Sequence, residues 1–377
     1  MISMFAPVYH IDECLDQIKQ CLERGWAGQG YKTVEFEEAW KKYTGFENAH
    51  LVITATAGLN LTIEILKDEN RWKDDDEIIS TPITFVATNN AILKNNMKVV
   101  FADVDETLCL DPVSVEKKIT EKTRAIMFVG LGGNIGKYYD VVQICKKYSL
   151  KLILDAAHMA GTKVSGEIPG KEADAVVYSF HVTKNLTTAE GGMVCFKNSH
   201  HDDVLRKLAW NGIDSSSSPK RYSKHYKWKQ NITKVADAYN GNSIMAAIGL
   251  AQLPFLDEEN EYRRKVAKWY DEEFKNEKGI TLVTVPENCQ SSRWLYQILV
   301  NNRDALMEYL QSNNIGCALH YLDNTEYPMY EEQNGICKNA MYASDHSVSL
   351  PCHLKITRED VKCVADTIKE FLRENYD

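Results

Sequence analysis

Residues 151–196 read KLILDAAHMAGTKVSGEIPGKEADAVVYSFHVTKNLTTAEGGMVCF, and this stretch decides the fold class. KLILD has the unbroken apolar run of a short buried strand, and it stops on Asp155 before the small residues Ala156 and Ala157 and then His158. AVVYSF (175–180) repeats the pattern and is followed by His181, Thr183 and Lys184, a turn-rich segment and the apolar run GGMVCF. Asp155 is therefore expected at the carboxyl end of one buried strand and Lys184 on a tight loop between two others. Open α/β sheets hold ligands beyond the carboxyl ends of their strands.

Working outward, the same texture extends toward the N-terminus. HLVITATAGLNLTIEIL passes from a β-branched run through a small-residue turn into a helical pattern, which sets Thr54, Thr56 and the amides of Ala57 and Gly58 at a helix start suited to a phosphate. Simple N-capping by a threonine would leave the same signature. EIISTPITFVATNNAIL gives a strand, a Pro-containing turn with Phe85, and a helix; VVFADVD and AIMFV add strands, with helical patterns at 113–120 and 137–148 between them. Strands alternating with helices imply a mainly parallel sheet covered on both faces. Residues 10–24 and 33–43 are helical in period and flank the glycine-rich GWAGQG (25–30), which reads as a surface arm.

AIMFV, the glycine-rich GLGGNIG (130–136), a helix and the acid ending KLILD together mimic a dinucleotide-binding unit, and this raises an NAD-dependent sugar oxidoreductase as the competing function. The spacing is Gly-x-Gly-x-x-x-Gly, wider than that fingerprint, and the reading leaves the lysine segment without a task.

A carboxylate, hydroxyls, an imidazole and an amine gathered at neighbouring strand ends form the inventory that pyridoxal 5'-phosphate requires. A lysine must bond to its aldehyde carbon, an acid must keep its pyridine nitrogen protonated, and hydroxyls or helix-start amides must hold its phosphate. SFHVTKNLTTAEGGMV closely resembles the lysine segment of the DegT/DnrJ/EryC1/StrS aminotransferases, and TATAGL, TPITFVATNNAI and NIGCALHYLDNTEYP are similar to further segments of that family. The resemblance covers nearly the whole chain.

It implies fold type I, the aspartate aminotransferase-like α/β fold. The chain would then divide into a large cofactor-binding domain with its N-terminal arm (1–250) and a helical connection leading to a small C-terminal α+β domain (251–377). It also implies transfer of an amino group from L-glutamate, yielding 2-oxoglutarate, to a nucleotide-linked keto-deoxysugar for polysaccharide or glycan synthesis, with the pyridoxamine form as intermediate and a homodimer as the working unit. Carried over residue by residue, Lys184 is the catalytic lysine, Asp155 holds the pyridinium, and His158 approaches the ring oxygen. Thr56, Ala57 and Ser179 bind phosphate, Phe85 covers the ring, and His320 with Tyr321 lies in the substrate pocket. A sugar dehydratase of the same fold has histidine at the lysine position, which Lys184 argues against.

Three departures stand out. Gly130 replaces a common histidine, and Asn324 and Thr325 lie where many relatives have a second histidine. Ala238 falls where relatives have the asparagine that reaches the neighbouring subunit's phosphate, which leaves Asn240 or Asn242 as its substitute.

Composition bounds the rest. The 377 residues are 44% apolar with a formal charge of −9, so a core is affordable and general attraction to nucleic acid is not expected. The stretch IDSSSSPKRYSKHYKWKQN interleaves cations with aromatics, and Arg221 and Lys229 in it are candidates for a nucleotide diphosphate. Ten scattered cysteines without a C-x-x-C pair read as reduced core thiols, and no metal is expected. No signal segment or membrane-length run is visible, which suggests a cytoplasmic protein.

Overall fold

A computed structural model of the chain describes residues 1–214 and 231–375. Seven apolar runs become the central sheet: β1 (His50–Val52), β2 (Glu77–Ser80), β3 (Lys98–Phe101), β4 (Thr123–Val129), β5 (Lys151–Asp155), β7 (Ala175–Ser179) and β8 (Gly192–Phe196), with the two-residue β6 (Lys163–Val164) outside it. Their order is β1-β8-β7-β5-β4-β2-β3. β8 runs antiparallel to both of its neighbours, and the five strands from β7 to β3 are mutually parallel. Every residue of β1, β2, β7 and β8 is buried, as expected for strands covered on two faces.

The crossovers are α3 (Ala55–Asn70), α4 (Ala87–Lys94), α5 (Pro112–Lys117) and α6 (Tyr138–Tyr148), preceded by α1 (Ile11–Glu23) and α2 (Tyr31–Thr44) and followed by α7 (Ser199–Leu208). Of these, α3 matters most to the site. Thr54 caps it from an extended conformation, accepting the Ala57 N–H at 3.1 Å. Gly58 lets the helix lie directly on the sheet, since a Cβ there would come 2.8 Å from Val194 and 3.0 Å from Val177. At Gly192 a Cβ would fall 2.6 Å from the Ala55 nitrogen and 2.8 Å from the Thr54 carbonyl carbon. Both contacts are backbone, so neither can swing aside. Gly192→Ala is therefore expected to cost about 1–3 kcal/mol of stability by overpacking and to lift the first turn of α3 off β8; thermal unfolding and titration with pyridoxal phosphate would read the two effects.

The run that sequence reading leaves as two helices or one broken at Pro254 is α8 (Ser243–Gln252), a short 3₁₀ turn, and α9 (Leu256–Phe274). A second sheet pairs β11 (Tyr296–Val300) with both β9 (Ile280–Leu282) and β12 (Ser347–Leu350), all antiparallel, after a two-residue β10 (Cys289–Gln290). α10 (Arg303–Ser312) and α12 (Arg358–Asn375) cover it, and α11 (Lys338–His346) leads into β12. This unit has its own apolar cluster, from Val266 and Tyr270 through Ile298 to Ile368. Leu253 and Leu256, and farther on Tyr330, Cys337 and Ala343, pack instead with the large core. The division between the two apolar clusters thus falls inside α9, and the segment around Tyr330 packs with the larger one.

Candidate active site

A cavity of about 330 Å³ opens where β4, β5 and β7 end and α3 and α4 begin. Of the residues singled out from sequence, Thr56, Phe85, Asp155, His158, Ser179, Lys184, His320 and Tyr321 all line it. Asp155 is the last residue of β5, and Ser179 the last of β7. Lys184 lies on the β7–β8 loop, whose turn is closed by the Lys184 N–H donating to the His181 carbonyl at 2.9 Å. His320 and Tyr321 come from the segment after α10, which Ala318 ties to Ser349 of β12.

Asp155 is fully buried. Its carboxylate accepts the Thr88 hydroxyl at 2.7 Å and the Ala157 N–H at 3.1 Å, and the Thr88 hydroxyl is itself 2.9 Å from that of Thr84. Burial raises its pKa, while Thr88, the Ala157 amide and the charge of Lys184 pull the other way. Lys184 is half-buried, and desolvation of its amine outweighs the attraction of Asp155 to bring its pKa down to about 7. An ordinary lysine at neutral pH offers roughly one neutral amine in 3,000, whereas this one is a usable nucleophile there. Among the described residues no carboxylate lies within ion-pair distance of it; its Nζ rests 3.5 Å from the centroid of the Trp294 ring.

His158 is held neutral, its pKa pushed well below the usual value by burial and by Lys184 and His320. Its Nδ1 accepts the Gly132 N–H at 3.2 Å, so the ring proton belongs on Nε2, which points to the Tyr321 hydroxyl 3.3 Å away. The glycine-rich GLGGNIG that mimics a dinucleotide loop thus has a different task. Leu131, Gly132 and Gly133 form a buried 3₁₀ turn, and the Gly133 α-carbon is packed against Ser292 and the His158 carbonyl. No pyrophosphate could approach those amides. Gly130 stands where a Cβ would meet Met159 Sδ at 2.0 Å, so the space of the usual histidine is taken by methionine.

His320 is neutral too, brought down to about 4 by burial and by Lys184, and its Nδ1 is 2.9 Å from the Ser349 hydroxyl. Phe85 is 57% exposed, its ring tilted 50° to that of Tyr321 at a centroid distance of 5.9 Å. It leaves an open apolar face at the cavity mouth.

Other candidates lie off the cavity of this chain. Ala57 does not line the cavity; its amide is spent on the Thr54 cap. The first-turn amides that a helix leaves unbonded are those of Ala55 and Thr56, both in the lining. Asn240 also lies away from the cavity within this chain, with its side chain bonded to His50 at 2.8 Å and to Gln29 at 2.8 Å. Asn324 is a structural tie, bonding the Thr84 carbonyl and Asn89, and Thr325 turns to Asp323. Arg221 and Lys229 fall outside the described residues.

Sequence reading passed over Thr88, Trp294, Phe5 and Glu190, which also line the cavity. Thr88 is one hydroxyl in a helix, and Trp294 precedes a strand in SSRWLYQILV, where an aromatic reads as core. Among the described residues no group of His, Cys, Asp or Glu could hold a metal ion, and no helix is long and apolar enough to cross a membrane.

The donor set suits pyridoxal phosphate. A buried acid, a desolvated amine with no carboxylate in ion-pair distance among the described residues, a neutral imidazole, and the hydroxyls of Thr56 and Ser179 with the helix-start amides of α3 all line one cavity.

Comparison with known proteins agrees. The sequence profile of the DegT/DnrJ/EryC1/StrS aminotransferase family matches residues 9–369. The chain is 34% identical to the uncharacterised protein MJ1066 of Methanocaldococcus jannaschii, over 97% of this chain and 96% of that one. It is 30% identical to the UDP-4-amino-4,6-dideoxy-N-acetyl-beta-L-altrosamine transaminase of Campylobacter jejuni, over 96% and 95%. The spore coat polysaccharide biosynthesis protein SpsC of Bacillus subtilis is 29% identical over 96% and 95%. Among solved structures, Helicobacter pylori PseC, an aminotransferase involved in the biosynthesis of pseudoaminic acid, superposes with a TM-score of 0.90 at 28% identity, covering 99% of both chains.

Proposed function

We propose, from the premise that this chain belongs to the DegT/DnrJ/EryC1/StrS aminotransferase family and is a pyridoxal-phosphate-dependent sugar aminotransferase, that it moves the amino group of L-glutamate onto the ketone of a nucleotide-linked deoxysugar used in a surface polysaccharide or glycan. The observation that supports the site assignment is that a desolvated Lys184 amine, with no carboxylate in ion-pair distance among the described residues, shares one cavity with the buried Asp155 carboxylate. The nucleotide-linked substrate is supported by the Campylobacter transaminase, whose name specifies a UDP-sugar, and the polysaccharide setting by SpsC.

When bound, pyridoxal phosphate supplies an electron-withdrawing ring that makes the carbon next to an amine acidic enough to lose a proton and take it back. In this proposal Asp155 holds the ring nitrogen's proton. His158 donates Nε2–H to the ring oxygen, since its other nitrogen is already committed to Gly132. Ser179, Thr56 and the free amides of Ala55 and Thr56 bind the phosphate at the start of α3. Phe85, in the cavity lining, would offer its face to the ring. Lys184 would have two tasks: its amine would hold the cofactor through its aldehyde group, and, once free, the same nitrogen would accept and return the proton of the reacting carbon. An amine with a pKa near neutrality is suited to both directions of that transfer. His320 and Tyr321 face the sugar from the small-domain wall. The working unit in this proposal is a homodimer; α1 leaves Ile11, Leu15 and Leu22 exposed along one side, an apolar row with room for a second copy.

Purified enzyme given a panel of nucleotide-linked 3-keto and 4-keto sugars with glutamate is expected to aminate one of them, with 2-oxoglutarate formed in equal amount and the product identified by mass and NMR. Formation of 2-oxoglutarate with pyridoxal phosphate but no turnover of any sugar would remove the sugar half of the proposal. Turnover of a sugar with another amino acid but not with glutamate would remove the donor.

A further inference from the structure

The segment Ser292–Trp294, which leads into β11, touches both of the loops that carry the proposed cofactor contacts. On the side of the lysine loop, the Trp294 indole N–H donates to the Thr183 carbonyl at 2.7 Å, and the Ser292 carbonyl accepts the Asn185 side-chain amide at 2.7 Å. Lys184 is therefore bracketed by the residues on either side of it. Toward the histidine loop, the Ser292 hydroxyl donates to the His158 carbonyl at 2.6 Å, and the Trp294 ring stacks on the His158 imidazole with centroids 3.8 Å apart and planes 25° from parallel. The Lys184 amine then lies over the face of that same indole, 3.5 Å from its centroid. Only 6% of Trp294 is exposed, and Phe5 and His320 close round it at centroid distances of 5.9 and 5.4 Å.

We propose that Trp294 is a positioning residue: its indole face is the resting place of the free Lys184 amine, and its edge and stacking contacts fix that amine relative to His158. The inference rests on Lys184 being the cofactor lysine. That lysine spends part of each turnover unbonded to the cofactor, when an amine on four flexible carbons would otherwise sample the whole cavity. Among the described residues no carboxylate lies within ion-pair distance of it, so the electron-rich ring is its near partner. Holding the nitrogen there keeps it within one short swing of the carbon it must attack or reprotonate, which is where orientation saves rate.

The test uses full-length protein freed of cofactor, in wild-type, Trp294→Leu and Trp294→Phe forms. Capture of pyridoxal phosphate, in which the lysine nitrogen bonds to the aldehyde carbon and water leaves, is followed by visible absorption and by borohydride trapping with mass mapping of Lys184. The leucine variant is expected to capture about 10-fold more slowly, because the amine is no longer held near the carbon it attacks, and the phenylalanine variant, which keeps a flat face, to recover most of the rate. In turnover, kcat should fall in the same order with KM for the keto sugar unchanged. Capture by the leucine variant at the wild-type rate would overturn the inference. So would equal losses in both variants that track a common fall in melting temperature, because that marks packing alone. Wild-type protein that captures nothing at Lys184 would instead remove the assignment of the lysine itself, a distinguishable failure.

Discussion

Lys184→Ala is expected to abolish amino transfer, with a loss of about 10⁴-fold or more, because one nitrogen is both the nucleophile toward the cofactor and the acid–base group of each half reaction. Mixed with pyridoxal phosphate, the variant should show no lysine adduct by borohydride trapping. The fold should survive, since the residue replaced carries a desolvated amine with no carboxylate in ion-pair distance among the described residues, and removing it relieves a desolvation cost. That expectation carries a pH signature. In the unfolded chain the amine titrates near its ordinary 10.5, in the folded one near about 7. Between these values the unfolded state binds more protons, so the contribution of this group to stability rises with pH across that window and is least favourable below about pH 7. The cofactor-free wild type should therefore melt below Lys184→Ala near pH 6, and the gap should close toward pH 10. A gap independent of pH would show that the amine is not desolvated as described, and full activity in the variant would place the chemistry elsewhere.

Much of this site was legible because the residues that carry it end buried strands. KLILD and AVVYS are apolar without interruption, so the positions where they stop are unambiguous, and Asp155 and Ser179 stand at those stops. Lys184 follows within five residues of the second stop. What was misread depended on geometry that a linear pattern does not contain. Thr54, Thr56 and Ala57 are adjacent in sequence, yet capping turns the Ala57 amide inward and leaves those of Ala55 and Thr56 free. The glycines of GLGG signal a tight turn correctly, but whether a phosphate or a histidine meets their amides depends on what packs over them, here Ser292 and His158. Trp294 and Thr88 come from a strand entry and a helix more than 60 residues from Asp155 in either direction, and an aromatic or a threonine there gives no sign of where its side chain ends.

The second large effect belongs to Asp155→Asn. Asparagine has nearly the same volume, and the hydrogen-bond chain around the residue can adjust to it. In the wild type the Thr88 hydroxyl donates to the carboxylate, which leaves Thr84 to donate to Thr88. With an amide NH₂ facing Thr88, both hydroxyls can reverse, and the amide oxygen still accepts the Ala157 N–H. Stability should consequently change little, and with a buried charge removed it should lose less to solvation than the wild type does. Cofactor capture should also persist, because the aldehyde carbon and Lys184 are untouched. Chemistry is another matter. A neutral amide cannot hold a proton on the pyridine nitrogen, so the ring loses the charge that draws electrons from the reacting carbon, and turnover is expected to fall about 10²- to 10³-fold, the scale of losing one preorganised electrostatic contact. KM for glutamate should stay within a small factor, since the lost interaction develops with charge in the transition state and is not used in binding. Capture kinetics, kcat and KM measured side by side on the purified variant separate these effects. Turnover at the wild-type rate would mean that another group holds the ring proton, and loss of capture together with turnover would mean that Asp155 shapes the cavity rather than the electronics of what it holds.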